Sequence, residues 1–314
     1  MGFYLFISNY YLSETQLTQK TLSKQTILAK AGSTSVENLL MNVQNQLSSF
    51  IFSFTQIPET ALIDMKQTRS EFDSYIQRAQ LPINGVSLYD EKGTLIILGN
   101  RKHIHTGEGQ DFSQTAYIQW SKNPANKRKI YISTPYIGTT GASIGKIIIL
   151  VEEPIYFGKA YKGTLAIKLL VDDFRKAFVD SLASDPDENS FILNDTGVLL
   201  AGNNALLNQN LFSYAQKQRW NQYKDFIQKL NMAIKTNINQ EVWTFQNPKD
   251  KPKVVLVGIS KIDIPNTNSD LYMVIATPKD NILALLKPIR IYGFVWLGFG
   301  LFTTTLGGII TMLL

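Results

Sequence analysis

The sequence predicts an α+β protein: a long N-terminal helix, two tandem β-rich lobes of one design, and a C-terminal transmembrane helix. Three observations carry this. An i, i+3, i+4, i+7 apolar stripe runs through the first part of the chain, a strand-turn-strand pattern occurs twice with its turn glycines 104 residues apart, and the last 24 residues carry no charge.

Composition bounds the function. A chain of 314 residues with 44% hydrophobic content can bury a core and suggests about two domains. The absence of cysteine excludes thiol nucleophiles, disulfide frameworks and cysteine-ligated metals. It also fits an oxidising compartment. The net charge of +6 is the small difference between 31 Lys+Arg and 25 Asp+Glu spread along the chain, so it names no anionic partner.

The opening apolar run, Phe3 to Leu12, is too short to span a bilayer, which needs about 20 residues. Residues 1–12 therefore read as the remnant of a first transmembrane helix. A signal peptide fits less well, lacking a basic n-region and an A-x-A-like site. Residues 13–80 read as a long stalk helix. Val36, Leu39, Leu40, Val43, Leu47, Phe50, Ile51 and Phe54 form one apolar stripe, and past a break at Pro58 the residues Leu62, Met65, Phe72, Ile76 and Ala79 form another. Such a face is buried in a core or against its copy in a homodimer.

Residues 81–180 form the first lobe, with strands expected at 86–89, 94–98, 130–133, 146–151 and 163–170 and a helix at 111–122. Residues 181–288 form the second lobe, with a helix at 211–234 and strands at 242–245, 254–260 and 272–277. SLYDEKGTLIILGN in the first is echoed by SFILNDTGVLLAGN in the second, with Gly93 and Gly197 supplying the positive φ of a tight hairpin turn. Residues 289–314 form the transmembrane helix. Tyr292 and Trp296 sit where an aromatic belt would, and Lys287 and Arg290 stand just outside. The chain stops inside that helix, so it reads as the sensing part of a longer receptor.

The motifs NGVSLYDEKGTL, DFSQTAYIQW, KIYISTPYIG, GKIIILVEEPIY, YKGTLAIKLLVDDF, SFILNDTGVLL and LYMVIATPKDNI, in this order between a long helix and a membrane span, resemble the double Cache sensor module of transmembrane receptors. The resemblance covers Ser33 to Leu314. It implies two PAS-like lobes outside the membrane, a small-molecule pocket in the membrane-distal lobe and a cytoplasmic output beyond this chain. In the amino-acid-binding branch an Arg, two following aromatics, a strand Tyr and a later Asp hold the ligand. Tyr117 occupies an aromatic place and Tyr136 that of the strand Tyr, whereas the Arg place falls on Thr115 or Gln114, Ile118 replaces the second aromatic, and the Asp place falls on Lys168. With both charged clamps missing, the expected ligand is neutral or anionic rather than an α-amino acid. Asp172 and Asp173 are near enough in sequence to neutralise Lys168 instead. The candidate ligand-binding residues are Phe112, Thr115, Tyr117, Trp120, Ser133, Tyr136 and Lys168. The same aromatics are also ordinary core fillers.

Other constellations weigh less. His103 and His105 form a polar-loop pair without a third ligand, Gly138, Gly141 and Gly145 miss the phosphate-loop spacing, and Lys122, Lys127, Arg128 and Lys129 lack interleaved aromatics. Glu152 and Glu153 are strand neighbours that point to opposite faces, which argues against paired acid/base work. The expectation is a non-enzymatic, extracytoplasmic ligand sensor of the cell membrane, for chemotaxis or another signal, without cofactor, metal or nucleic acid. A membrane-anchored protein-interaction module with a vestigial pocket is the alternative.

Overall fold

The computed structural model describes residues 2–55, 64–79, 82–182, 189–202, 207–211, 240–245 and 253–288, with single helical residues at 213, 229, 232–233, 235–236, 291–292 and 295. Helix α1 (Gly2–Thr55) is unbroken over 54 residues. Its stripe is buried as the spacing requires: Leu22, Ala29, Val36, Leu40, Val43, Leu47, Phe50 and Phe54 are all 8% exposed or less. Helix α2 (Met65–Arg78) starts where the Asp64 carboxylate accepts hydrogen bonds from the backbone N–H groups of Lys66 and Gln67. Its Phe72 is fully buried and meets Phe50 edge-on, with ring centroids 5.0 Å apart. The stalk expected over 13–80 is thus two helices that both lie against β-sheets. Each carries an apolar stripe that a free-standing rod would leave in water.

Eleven described strands form two antiparallel sheets. In the first, β1 (Ile83–Asp90), β2 (Leu95–Asn100), β3 (Tyr131–Ile132), β4 (Tyr136–Ile137), β5 (Ile147–Phe157) and β6 (Ala160–Leu170) take the order β2-β1-β6-β5-β3, with β4 also on β5. Short helix α3 (Ala116–Ser121) lies in the long connection from β2 to β3, and α4 (Val171–Phe178) follows β6. In the second, β7 (Asn189–Asn194), β8 (Leu199–Ala201), β9 (Gln240–Phe245), β10 (Lys253–Ile262) and β11 (Leu271–Pro278) take the order β8-β7-β11-β10-β9. The two orders are the same.

The repeat extends to individual hydrogen bonds. Gly93 (φ 100°) and Gly197 (φ 84°) donate to the carbonyls of Asp90 and Asn194 and accept from the N–H groups of Phe112 and Leu211. Helix α1 crosses both sheets on the same side as their shared core, which joins Val36, Val86, Ile167 and Leu47 to Ile192, Met273 and Ile275. At the crossing of β10 the approach is so close that a Cβ on Gly258 would strike the backbone of Gln25. A last short helix, α5 (Lys279–Ala284), follows β11. Among the described residues no helix is long and apolar enough to cross a membrane. The expected span at 289–314 lies almost wholly outside those residues, as does most of the helix expected at 211–234.

Candidate functional site: the tyrosine-lined face of the first sheet

Strand alternation assigns every side chain of the first sheet to one of two faces. On β6, Leu165, Ile167 and Leu169 join the core under α1, so Ala166 and Lys168 face the other way. On β5, Leu150 and Glu152 share that second face, in register with Lys168 and Ala166. Ser87 and Tyr89 of β1 complete it, with Ser87 beside Ala166. The long connection from β2 to β5 folds over this face as a cover. It contributes Phe112, Tyr117, Ile118, Tyr131 and Tyr136.

The cover is aromatic and tightly fitted. Tyr89 meets Phe112 edge-on at 5.5 Å between centroids and lies 5.9 Å from Tyr117, while Trp120 packs on Tyr131 at 5.3 Å. Burial pushes the Tyr117 hydroxyl up to about 12 and those of Tyr89, Tyr131 and Tyr136 upward too, and the Glu152 carboxyl adds to each shift. All four phenols stay neutral, as hydrogen-bonding groups with apolar rings.

Two ionisable groups are sealed beneath this cover. Lys168 is 2% exposed, and its Nζ donates one hydrogen bond, of 2.5 Å, to Thr140 Oγ1. Its stem lies over Gly85, where no side chain competes for the space. Desolvation alone draws its ammonium down to about 7. Glu152 is 0% exposed; Ser121 Oγ donates to its Oε1 at 3.2 Å and its Oε2 has no partner among the described residues. Burial pushes this carboxyl well above the usual range, against a smaller opposing effect of the Ser121 bond. Ser87 Oγ, fully buried on the same face, is also without a partner among the described residues. Buried polar atoms in native proteins are nearly always satisfied. Orphans gathered on one face therefore mark where a ligand or water completes the hydrogen bonding.

The corresponding face of the second sheet is different. Phe191, Leu193, Val255, Val257, Ile259, Tyr272, Val274 and Ala276 pack there with Leu211 and Ala233, without a buried charge among the described residues. A surface groove of about 480 Å³ between α1 and α2, lined by Gln46, Ser49, Phe50, Ser53, Ser70, Glu71, Ser74, Tyr75 and Arg78, has no buried ion either.

Solved structures share this architecture. The periplasmic sensory domain of the Campylobacter jejuni chemoreceptor Tlp1 superposes with a TM-score of 0.64 at 14% identity, covering 85% of this chain and 98% of that one. The extracellular domain of the putative histidine kinase rpHK1S-Z16 gives 0.62 at 11% identity over 84% and 97%. The ligand-binding domain of the Pseudomonas fluorescens chemoreceptor CtaA, in complex with L-isoleucine, gives 0.57 at 14% over 87% and 99%. The chain shares the two-sheet, long-helix fold of these extracytoplasmic sensory domains. No protein-family profile and no characterised relative matches by sequence, so at these identities the likeness establishes the fold alone. The neighbours are sensory rather than catalytic domains.

Within this fold the expected residues fall into three groups. Phe112, Tyr117 and Tyr136 line the covered face, and Lys168 stands in its floor. Trp120 is one step outward, on Tyr131. Thr115 and Ser133 are occupied locally: Thr115 Oγ1 donates to the Phe112 carbonyl at 2.7 Å, and Ser133 Oγ accepts from the Leu150 N–H at 2.8 Å. Asp172 and Asp173 open α4 and neither pairs with Lys168 among the described residues, whose partner is Thr140. The neutralisation considered for Lys168 is thus replaced by burial beside a hydroxyl.

Sequence reasoning missed Glu152, Tyr89, Ser87 and Thr140. Glu152 and Glu153 do point to opposite faces: Glu153 accepts from Ser48 of α1 at 2.8 Å, while Glu152 enters the site. The signal was present in the alternation itself, since Glu152 shares the phase of Leu150. The argument against an α-amino acid assumed that no carboxyl faced the site, and Glu152 removes that premise. The neighbours' own ligands lend the expected preference for neutral or anionic compounds no support either.

Proposed function

We propose that this chain is the ligand-sensing region of a transmembrane signalling receptor. Its middle lies outside the cytoplasm and takes a small molecule between the outer face of the first sheet and the aromatic cover. The observation that carries this reading is the set of buried polar groups on one face under neutral tyrosines: Glu152 Oε2 and Ser87 Oγ without a partner among the described residues, and Lys168 with a single hydrogen bond. A scaffold without a ligand gains nothing from such groups, because burying an ion without a partner is costly. The neighbours of this fold include chemoreceptor domains solved with L-isoleucine, L-serine and L-arginine, which makes amino-acid-like compounds the first class to test.

In this reading residues 81–180 are the membrane-distal, ligand-binding lobe, 181–288 the proximal lobe, and 289–314 the membrane anchor. Ligand binding shifts a two-state equilibrium, and α1 transmits the shift as a small displacement of a helix that touches both sheets. Moving the equilibrium from 1:99 to 99:1 takes a preference of about 5.5 kcal/mol for one state. Two charge-assisted hydrogen bonds and the burial of a small apolar body are of that size.

The test is thermal denaturation of the full chain with amino acids, carboxylates, amines, purines and sugars. A compound that raises the melting temperature in the wild type but not in Lys168→Met or Glu152→Gln supports the site. If no class stabilises the protein, the sensing reading fails and the protein-interaction alternative gains.

A further inference from the structure

The arrangement of the two buried ionisable groups specifies more than a pocket. Lys168 and Glu152 occupy diagonal positions across the β5–β6 pair, on one sheet face. In antiparallel sheets such diagonals lie about 7–8 Å apart, within reach of a direct ion pair between long side chains. No ion pair forms between them. Each bonds instead to a different part of the cover, Lys168 to Thr140 in the loop before β5 and Glu152 to Ser121 at the end of α3. Leu150 and Ala166 lie on the same face between Lys168 and Glu152, with Ser87 beside Ala166, and Tyr117 and Tyr136 of the cover pack in the same cluster.

An α-amino acid carries both charges on one carbon, so its ammonium and carboxylate gather at one end and its side chain points away. This site has the reverse layout, an amine and a carboxyl bonded to different parts of the cover with apolar side chains between them, and each of the two takes up its charge when an opposite charge arrives. A compound matching it carries its carboxylate at one end, toward Lys168 and Thr140, and its ammonium at the other, toward Glu152 Oε2. We infer that the sensor takes a short ω-amino acid, with the carboxylate held by Lys168 and the ammonium by Glu152 under the tyrosine rings. This rests on the sensing function proposed above and narrows its ligand class. The cation–π attraction of the surrounding phenol rings adds to the hold on the ammonium.

Isothermal titration calorimetry of the full chain with β-alanine, γ-aminobutyrate and δ-aminovalerate, against α-aminobutyrate, butyrate and butylamine, tests it. The expected result is that at least one ω-amino acid binds more than about tenfold tighter than each of the three controls. Glu152→Gln then removes the advantage over butyrate, and Lys168→Met removes the advantage over butylamine. The inference is overturned if α-aminobutyrate binds as well as the best ω-isomer, or if Glu152→Gln leaves ω-amino-acid affinity unchanged while melting cooperatively. The comparison of isomers on the wild type stands even where a variant does not fold. If none of the six binds but another compound does, in a manner sensitive to Lys168 or Glu152, the ω-amino-acid inference fails and the sensing function stands. If no compound of any class binds, both fail.

Discussion

Lys168 concentrates the cost and the purpose of the site in one side chain. Its folded value is about 7 against an ordinary 10.5. Between those pH values the unfolded chain holds a proton that the folded chain lacks, so this lysine makes stability rise with pH through the window. Its full penalty is present below about pH 7. At about 1.4 kcal/mol per unit, the penalty is of order 5 kcal/mol. Lys168→Met keeps the volume and removes the charge. The variant is therefore expected to be more stable than the wild type at pH 6 to 7, by an amount that shrinks steadily toward pH 10 to 11. Urea unfolding across that range measures it, and a gap independent of pH would sink the account. Lys168 was legible in the sequence because a cation stood where the resemblance put an Asp. Glu152 was not, because the Glu152–Glu153 pair was tested only as an acid/base couple. Which of two adjacent strand carboxylates enters a site depends on the register with β6, a non-local fact.

At the scale of elements, the repeat was the most readable feature, since two hairpins with turn glycines at equivalent places fix local geometry from local residues. Strand β4 was missed because it is two residues long and formed by pairing with β5, not by its own pattern. The docking of one lobe on the other was also illegible. Asn268, in the loop between β10 and β11, clamps β3: its Oδ1 accepts from the Ile132 N–H at 2.7 Å, its Nδ2 donates to the Ile132 carbonyl at 3.3 Å, and its own N–H donates to Ile130 at 3.0 Å. Because Ile132 is buried, Asn268→Ala leaves an unsatisfied N–H there, and a loss of about 1–3 kcal/mol is expected. Hydrogen exchange checks the cause: the Ile132 amide should lose protection while Ile192, on β7 of the second sheet, keeps it. A second contact predicts more damage. Gly258→Ala drives a methyl into the backbone of α1 at Gln25, where a helix cannot yield one residue at a time, so a loss above about 3 kcal/mol is expected in the same unfolding assay.

Across the whole molecule, α1 is the element that both sheets share. Its buried stripe serves β5 and β6 in one lobe and β9, β10 and β11 in the other, and near its start Glu14 pairs with Lys279 of α5 at 2.7 Å. A displacement of α1 is thus felt in both sheets and in the last described helix. The opposite side of α1 carries Ile27, Met41 and Phe52, which are 65%, 38% and 64% exposed. At about 100° per residue these three fall within about 40° of one another, directly across from the buried Val36 and Val43. We propose that this line is the seam of a parallel homodimer, in which a shift of α1 against its copy would become a signal. The chain has no cysteine, so a single introduced thiol reports this cleanly. Ile27→Cys and Met41→Cys are each expected to give a disulfide-linked dimer under mild oxidation, whereas Ser35→Cys, exposed but about 80° around the helix from Ile27, is not. Equal cross-linking at all three positions, or none at Ile27 and Met41, would place the dimer contact elsewhere or show α1 acting within a monomer.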